Sequence, residues 1–256
     1  MILNINDLTF KYNSHNVLNN INFSVEKGEI LTILGPNGVG KTTLLKCINS
    51  ILKREKGDVY INGQDTFSMD VTQIARQMSY VAQHSDVAKL TAFDAILLGR
   101  RPHIKWRVSK EDIKKVDAVI KRLNLKHLAL KYIDQMSGGE LQKISLARAF
   151  VQETDLFLLD EPTSNLDLKN QAEILGLVKR VVKEHNVAAV MTMHDLNTAL
   201  RYSDKYLFLK NGSIYGAGDV NNISCSMVES VYGIPVEIMQ HNGYPVIIPG
   251  ELAHAA

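Results

Sequence analysis

The sequence predicts an α/β fold built on a mostly parallel sheet with a binding site at its carboxyl edge. Residues 35–42 match the loop pattern G-x-x-x-x-G-K-[ST] at every fixed position. A nearly all-apolar stretch, residues 29–34, precedes this loop and is typical of a strand that is buried on both faces. Residues 156–159 and 187–193 are two further candidates for buried strands, and each is followed by ionisable side chains.

Composition and charge are those of an ordinary soluble globular protein. The 256 residues are enough for one large domain, or for one domain with an inserted subdomain. A net charge of +2 predicts no nucleic-acid partner, and Cys47 and Cys225 lack the spacing of metal ligands. We see no signal peptide and no apolar run near the ~20 residues of a membrane helix, so we expect contact with a membrane only through a partner.

The strand, the glycine loop and the helix that follows them together predict an anion site. The glycines let backbone N–H groups turn toward phosphate oxygens, and the helix N-terminus adds its positive end. Lys41 can reach the β- and γ-phosphates, and the Thr42 hydroxyl can hold Mg²⁺. The alternative is a simple glycine-rich turn, which the flanking strand and helix disfavour. The predicted nucleotide-binding residues of this loop are Gly35, Pro36, Asn37, Gly38, Val39, Gly40, Lys41, Thr42 and Thr43.

The first 34 residues are predicted to be β structure, because apolar and polar residues alternate in them. Tyr12 ends one strand candidate, residues 8–12. Its spacing favours a cross-strand aromatic, although its ring could also stack on a purine. Residues 78–83 are predicted to be a strand that ends at Gln83, which is functional only if its amide points at a bound phosphate.

Residues 84–152 change character, and helical spacing dominates them, which predicts a mostly helical subdomain inserted into the α/β framework. Residues 91–98 are one helix candidate, and Ser109 begins another with the form of a capping box. Between them, residues 99–107 form a basic loop that holds the only tryptophan. This loop is either a solvated connection or a docking patch, and the sequence does not decide between the two.

A second glycine pair follows in Ser137-Gly138-Gly139-Glu140. Its spacing is that of a capping box, so the simplest reading is an ordinary helix start. Glycine in a first turn costs helix stability, however, by up to ~1 kcal/mol each. Glycine would leave the backbone N–H groups of the first turn open to close approach by an anion. The pair therefore predicts a second phosphate site, which one nucleotide bound at the first loop does not obviously need.

Two carboxylates, Asp160 and Glu161, follow the buried strand at residues 156–159. Beside a phosphate-binding loop, such a pair suits one carboxylate directed at Mg²⁺ and one that orients or deprotonates water. His194 follows the strand at 187–193 and could contact a γ-phosphate, although a lone histidine there is more often a capping or packing residue. Beyond these residues we expect a helix from Asp167, a hairpin near residues 206–215, and short strands and loops to the end.

In this order the motifs resemble those of an ABC transporter ATPase subunit, over nearly the whole chain. The loop matches Walker A, Asp160 and Glu161 match Walker B and the glutamate after it, and residues 164–167 resemble the D-loop. Residues 136–140 resemble the signature LSGGQ, with Met136 and Glu140 departing from it, and we expect no loss of activity from either change. The resemblance also makes Gln83 the Q-loop glutamine, His194 the switch histidine and Tyr12 the residue that stacks on adenine.

The resemblance implies a P-loop NTPase with a RecA-like core and an antiparallel β subdomain over residues 1–83 and 153–256, and a helical subdomain over 84–152. It implies a head-to-tail homodimer around two ATP molecules, in which Ser137, Gly138, Gly139 and Glu140 of one copy cover the nucleotide bound by the other. Glu161, His194 and Gln83 would be catalytic. Thr42, Gln83 and Asp160 would surround Mg²⁺.

Further segments resemble one importer subfamily, whose cargoes are iron-siderophores, haem, cobalamin and, in some members, molybdate. They are residues 98–103, 194–199, 201–204 and 231–236. The implied partners are two membrane-spanning permease subunits and, indirectly, an extracytoplasmic substrate-binding protein, with this chain on the cytoplasmic face of the membrane. We expect residues 84–107, with Arg100, His103 and Trp106, to lie on or near the permease-facing surface.

Two other classes stay open as alternatives. A non-transport ABC ATPase would act in translation, repair or iron–sulfur assembly, but this chain has one ATPase half, no long coiled coil and little net charge. A soluble nucleotide kinase would have no use for the signature element or the D-loop.

Overall fold

The computed structural model describes residues 1–83 and 89–251 of the chain. In this part of the chain the strands β1 to β12 are Leu3–Tyr12, His15–Val25, Ile30–Leu34, Lys56–Ile61, Gln64–Asp65, Met78–Val81, Leu156–Asp160, Ala188–Thr192, Lys205–Lys210, Ser213–Asp219, Val236–His241 and Tyr244–Pro249. The helices α1 to α8 are Lys41–Ile48, Val71–Gln77, Ala92–Leu97, Lys110–Arg122, Gly138–Val151, Leu168–His185, Leu196–Tyr202 and Cys225–Tyr232. Short 3₁₀ segments lie at Thr66–Ser68, Leu98–His103, Lys126–Leu128, Ile133–Gln135 and Val220–Asn222.

A six-stranded sheet with the order β10-β9-β3-β8-β7-β6 forms the centre of the molecule. All its neighbouring strands pair in parallel except β9 and β10, which form the predicted hairpin. Strands β3, β7 and β8 are buried along their whole length, as their apolar sequences predict. Because the strands are parallel, the loops after β3, β6, β7 and β8 all leave from the same edge of the sheet.

Two smaller sheets flank the central one. An antiparallel sheet with the order β2-β1-β4-β5 contains the predicted N-terminal strands, and β11 pairs with β12 in a separate hairpin. The buried side of the antiparallel sheet joins α1 and one face of the central sheet in a common apolar cluster. On the opposite face, α5, α6, α7 and α8 pack in a second cluster. The central sheet is therefore covered on both faces, as a parallel sheet requires.

The described residues between β6 and β7 are mainly helical and have an apolar cluster of their own. Helix α5 contributes to two clusters, because Ile144, Ala147 and Val151 face the helical segment while Leu146 and Ala149 face the central sheet. The N-terminus of α5 is consequently held by both units. The predicted boundary at residue 84 lies outside the described residues.

Several local predictions were wrong. Strand β6 ends at Val81, two residues before the predicted end, so Gln83 lies in the loop beyond it. The expected loop at 99–107 begins instead as a 3₁₀ segment that continues from α3 to His103. Helices α2 and α8 were not predicted. Both have side-chain caps, Asp70 and Ser224, and the Asp70–Gln73 capping box was a readable signal.

Arg100 lies in the interior, so its side chain is not part of an exposed surface of the segment 99–107. Its side chain is 5% exposed, and its Nε donates to Asp112 Oδ1 at 3.1 Å. Its Nη1 donates to Val151 O and to Glu153 Oε2, both at 2.8 Å. The Ser109 hydroxyl and the Arg100 guanidinium lower the pKa of Asp112 to about 2. Arg100 thus fixes the start of α4 against the end of α5.

Replacing Arg100 with Met should lower the free energy of unfolding by about 3–5 kcal/mol, because it leaves the buried Asp112 carboxylate without its partner. Urea unfolding of the purified chain measures this loss. Lys121→Met is the control, since it breaks an exposed Asp117–Lys121 pair on the same helix α4 and should cost less than ~0.5 kcal/mol. Equal losses for the two variants would contradict the assignment.

Candidate active site

The glycine loop leaves β3 in a backbone conformation that other residues resist. Gly35 has a φ of 144°, and a Cβ atom there would lie 2.4 Å from the Leu209 carbonyl oxygen. Gly40 has a φ of 107° and is the N-cap of α1. The Gly35 N–H also donates to the Tyr232 hydroxyl at 3.1 Å, so a helix near the C-terminus holds the start of the loop.

Lys41 is buried at the start of α1 and folds over its own loop. Its Nζ donates to Gly35 O at 2.8 Å and to Pro36 O at 3.1 Å. Burial lowers the pKa of Lys41, while the nearby carboxylates of Glu161 and Asp160 act in the opposite direction. A desolvated ammonium at a glycine loop and a helix N-terminus is suited to an anionic ligand.

Asp160 is 2% exposed at the end of β7, and three hydroxyl groups donate to it. Its Oδ1 accepts from Thr42 Oγ1 at 3.0 Å and from Thr192 Oγ1 at 2.8 Å. Its Oδ2 accepts from Tyr80 OH at 3.1 Å. Burial and the Asp160 charge raise the pKa of Tyr80, so its hydroxyl stays protonated and remains a donor.

The oxygen set around Asp160 fits Mg²⁺ better than a softer metal. Mg²⁺ is usually bound through one or two carboxylates together with the phosphates of a substrate. The Asp160 carboxylate and the Thr42 hydroxyl supply such hard oxygen ligands. Within residues 1–83 and 89–251, no group of three or more His, Cys, Asp or Glu side chains is placed to hold a metal ion.

Glu161 joins two of the predicted catalytic side chains. Its carboxylate accepts from Gln83 Nε2 at 2.6 Å and pairs with His194 Nε2. Its backbone has a φ of 48°, a left-handed conformation that non-glycine residues seldom adopt. The Glu161 N–H donates to Thr192 Oγ1 at 2.9 Å, which supports this conformation. The structure therefore brings Gln83, Glu161 and His194 together beside Asp160.

Tyr12 lies at the end of β1, half exposed, with its ring edge-on to Phe10 at 4.8 Å. The strand residue opposite it is His15. His15 lines a groove of about 490 Å³ that also contains Pro36, Asn37, Gly38 and Val39 of the glycine loop. The aromatic neighbour of Tyr12, Phe10, lies on the same strand rather than across from it, and the residue paired with Tyr12, His15, connects its position to the groove beside the loop.

The residues Ser137 to Glu140 begin α5 with a complete capping box. Ser137 and Gly138 are exposed, whereas Gly139 is buried. A Cβ atom on Gly139 would lie 2.8 Å from the Asn170 side chain of α6, so packing within the chain also requires this glycine. Among the described residues, no hydrogen bond joins Ser137–Glu140 to the glycine loop or to the Asp160–Glu161 pair.

Sequence reasoning missed Thr192, Tyr80 and Tyr232, which contact the predicted site residues directly. Thr192 is the hydroxyl residue in an otherwise apolar strand, Ala188–Thr192, and this contrast was an available signal. No comparable signal distinguishes Tyr80 or Tyr232, because tyrosine is ordinary in strands and at the ends of helices.

The family is shown by comparison with known proteins. Residues 18–164 match the family model described as ABC transporter, which is more than half of the chain.

The chain belongs to the ABC transporter family. It is an ATP-binding cassette and an ATPase.

Relatives of this ABC ATPase match it over nearly its full length. It is 49% identical to an uncharacterised ABC transporter ATP-binding protein of Methanocaldococcus jannaschii, covering 97% of this chain and 98% of the relative. It is 33% identical to a petrobactin import ATP-binding protein of Bacillus anthracis, covering 98% and 94%. The match therefore includes the segments on both sides of the family model.

A solved structure resembles the whole cassette. An inward-facing metal-chelate type ABC transporter contains a chain that superposes with a TM-score of 0.85 at 29% identity, covering 98% of this chain and 97% of that one. This likeness confirms the predicted P-loop NTPase fold. None of the helices in the described part of the ABC ATPase is long and apolar enough to cross a membrane.

Thr192→Val should reduce the kcat for ATP about 10- to 100-fold. Valine keeps the shape but removes one donor to Asp160 and leaves the Glu161 N–H unpaired, and a buried unpaired group costs about 1–3 kcal/mol. ATP binding should change less than about threefold, because the valine leaves the contacts of Lys41 unchanged. Steady-state ATPase and nucleotide-binding assays separate the two effects.

Thr192→Ser should recover most of the activity, since serine restores the hydroxyl. Thr32→Val is the matched control, because Thr32 is a buried threonine on the adjacent strand whose hydroxyl bonds to Ser203. If Thr32→Val lowered kcat as much as Thr192→Val, the loss would be general destabilisation and the positioning role would be refuted.

Proposed function

We propose that this chain is the ATP-hydrolysing subunit of an importer for a metal chelate, and that it works as a homodimer around two ATP molecules. The observation that carries this proposal is the division of the site. Lys41, Thr42, Asp160 and Glu161 meet at one sheet edge, while the glycine pair that begins α5 has no hydrogen bond to them among the described residues.

The proposed hydrolytic step gives each of these side chains one role, and their positions at one sheet edge support it. In this proposal the loop from Gly35 to Thr43 binds the phosphates through its N–H groups, and Lys41 supplies positive charge. Thr42, Gln83 and Asp160 would hold Mg²⁺, which would supply charge neutralisation at the phosphate oxygens. Glu161 orients the attacking water and accepts its proton. His194, which pairs with Glu161, contacts the γ-phosphate, and Tyr12 stacks on adenine.

A second copy would complete the site. Cassettes of this family form dimers and work with membrane permease components. In the proposed dimer, the N-terminus of α5 from one copy covers the nucleotide bound to the other copy. Ser137 and Gly138 are exposed and can make that contact, and residues 84–152 act as the helical subdomain that carries it.

Glu161→Gln should bind ATP but hydrolyse it at least about 100-fold more slowly, because the amide cannot accept a proton from water. The proposed consequence is a long-lived dimer in ATP, which size-exclusion chromatography with light scattering detects. Wild-type turnover by this variant in a purified complex would rule out Glu161 as the catalytic carboxylate.

The importer assignment rests on relatives and on subfamily segments. A relative at 33% identity is named as a petrobactin import protein, and a structural neighbour is a metal-chelate type transporter. We infer an iron-siderophore as the first cargo class to test, with haem, cobalamin and molybdate as the other members of the same group. The permease and an extracytoplasmic binding protein would choose among them.

The permease-facing surface is proposed to lie on the helical subdomain around Trp106. Its side chain is 98% exposed, which is costly for an indole unless a partner covers it. Leu98 and Val108 are exposed apolar neighbours in the same open groove. In contrast, Arg100 is buried, and His103 is partly buried with its Nε2 bonded to Gln152 O at 2.8 Å.

The ATPase activity of the reconstituted transporter, measured with its binding protein and a panel of chelates, tests which cargo is transported. We expect an iron-siderophore to stimulate this activity.

Cross-linking tests the permease-facing surface. We expect a Trp106→Cys variant to cross-link to the permease. If the new thiol of that variant reacted only with reagents in the solvent and never with the permease, the proposed permease-facing surface would be refuted. If the chain purified without any multi-span membrane protein, a non-transport ATPase would be favoured instead.

A further inference from the structure

The glycine pair at the start of α5 is followed by a carboxylate, Glu140, which occupies the helix N-terminus itself. Glu140 Oε2 accepts from the Ser137 N–H at 2.8 Å and from the Ser137 hydroxyl at 3.0 Å. These donors belong to the group that would face a phosphate of the partner's nucleotide. Two anions would therefore share one positive helix end.

This carboxylate is ionised at neutral pH. The Ser137 N–H and the Lys131 ammonium are the two largest influences that lower its pKa, to about 2. Like charges within a few ångströms repel, and the repulsion is strong where closure of a dimer excludes water. A signature element with an uncompensated Glu140 would thus oppose the approach of ATP.

Lys131 supplies the compensating charge from a fixed position. Its Nζ lies 3.3 Å from Glu140 Oε1 and 3.1 Å from Oε2, so it contacts both carboxylate oxygens. Its backbone is held on both sides, because its N–H donates to Leu128 O and its carbonyl accepts from Ala92 N, each at 2.9 Å. Hydrogen bonds of the backbone therefore fix the turn next to α3 that carries the Lys131 ammonium.

We infer that Lys131 is a positioning residue for ATP-driven dimer closure, because it neutralises Glu140 and allows the N-terminus of α5 to accept the partner's phosphates. This inference rests on the proposed dimer. It depends on the balance of charge between Lys131 and Glu140. Removing both charges should therefore leave dimerisation nearly unchanged, whereas removing the lysine alone should weaken it.

The test uses the Glu161→Gln background, in which dimers accumulate in ATP. Adding Lys131→Met should raise the protein concentration for half-maximal dimerisation by about tenfold, equivalent to about 1.4 kcal/mol. The defect should grow at low salt, where repulsion is screened less. Adding Glu140→Gln to Lys131→Met should restore dimerisation to within about twofold, and nucleotide binding to the monomer should be unchanged in all variants.

Lys115→Met is the matched control. The Lys115 side chain is 32% exposed and pairs with Glu153, whereas that of Lys131 is 35% exposed and pairs with Glu140. The control has the same charge change away from the signature element and should dimerise normally. The inference is overturned if Lys131→Met alone has no effect, or if the double variant is as impaired as the single one. Absence of dimers in Glu161→Gln itself would instead refute the proposed dimer.

Discussion

Parallel pairing of the central strands is the constraint on which the site depends. It forces the loops after β3, β6, β7 and β8 to leave from one edge. The strand register then decides which residues touch. Asp160 lies opposite Thr192 on β8, and Thr192 is two positions from His194. One hydroxyl in this register serves both Asp160 and the backbone of Glu161, so the sheet itself aligns the two carboxylates.

The site residues were predictable where they occur in a motif with a fixed spacing. Lys41, Thr42, Asp160 and Glu161 were identified by the loop pattern and by the apolar strand before the acidic pair. Gln83, His194 and Tyr12 could not be chosen from spacing alone, because each has an ordinary structural alternative and only the resemblance favoured a function.

Other features depend on long-range contacts that local sequence does not encode. Arg100 belongs to a basic run that is typical of a solvated loop, yet its side chain is buried and forms ion pairs with Asp112 and Glu153. The Tyr232 hydroxyl reaches Gly35 across 197 positions in sequence, on a helix that was not expected. Such contacts follow from how α3, α4, α5 and α8 pack, and no pattern of a few residues predicts that packing.

The two proposed anion sites differ in how their charge is balanced, and this difference bears on why closure of the proposed dimer would need ATP. At the glycine loop, Lys41 is a buried cation whose own carbonyl contacts are a weaker match than a phosphate. At α5, the positive helix end is already occupied by Glu140, and Lys131 makes the pair neutral. In the proposed mechanism, Lys41, the loop N–H groups and Mg²⁺ would together bind nucleotide at the first site within one chain. In the proposed dimer, the second would have little attraction until a bound γ-phosphate and a second copy arrive together, so ATP at the first site would be the condition for contact at the second.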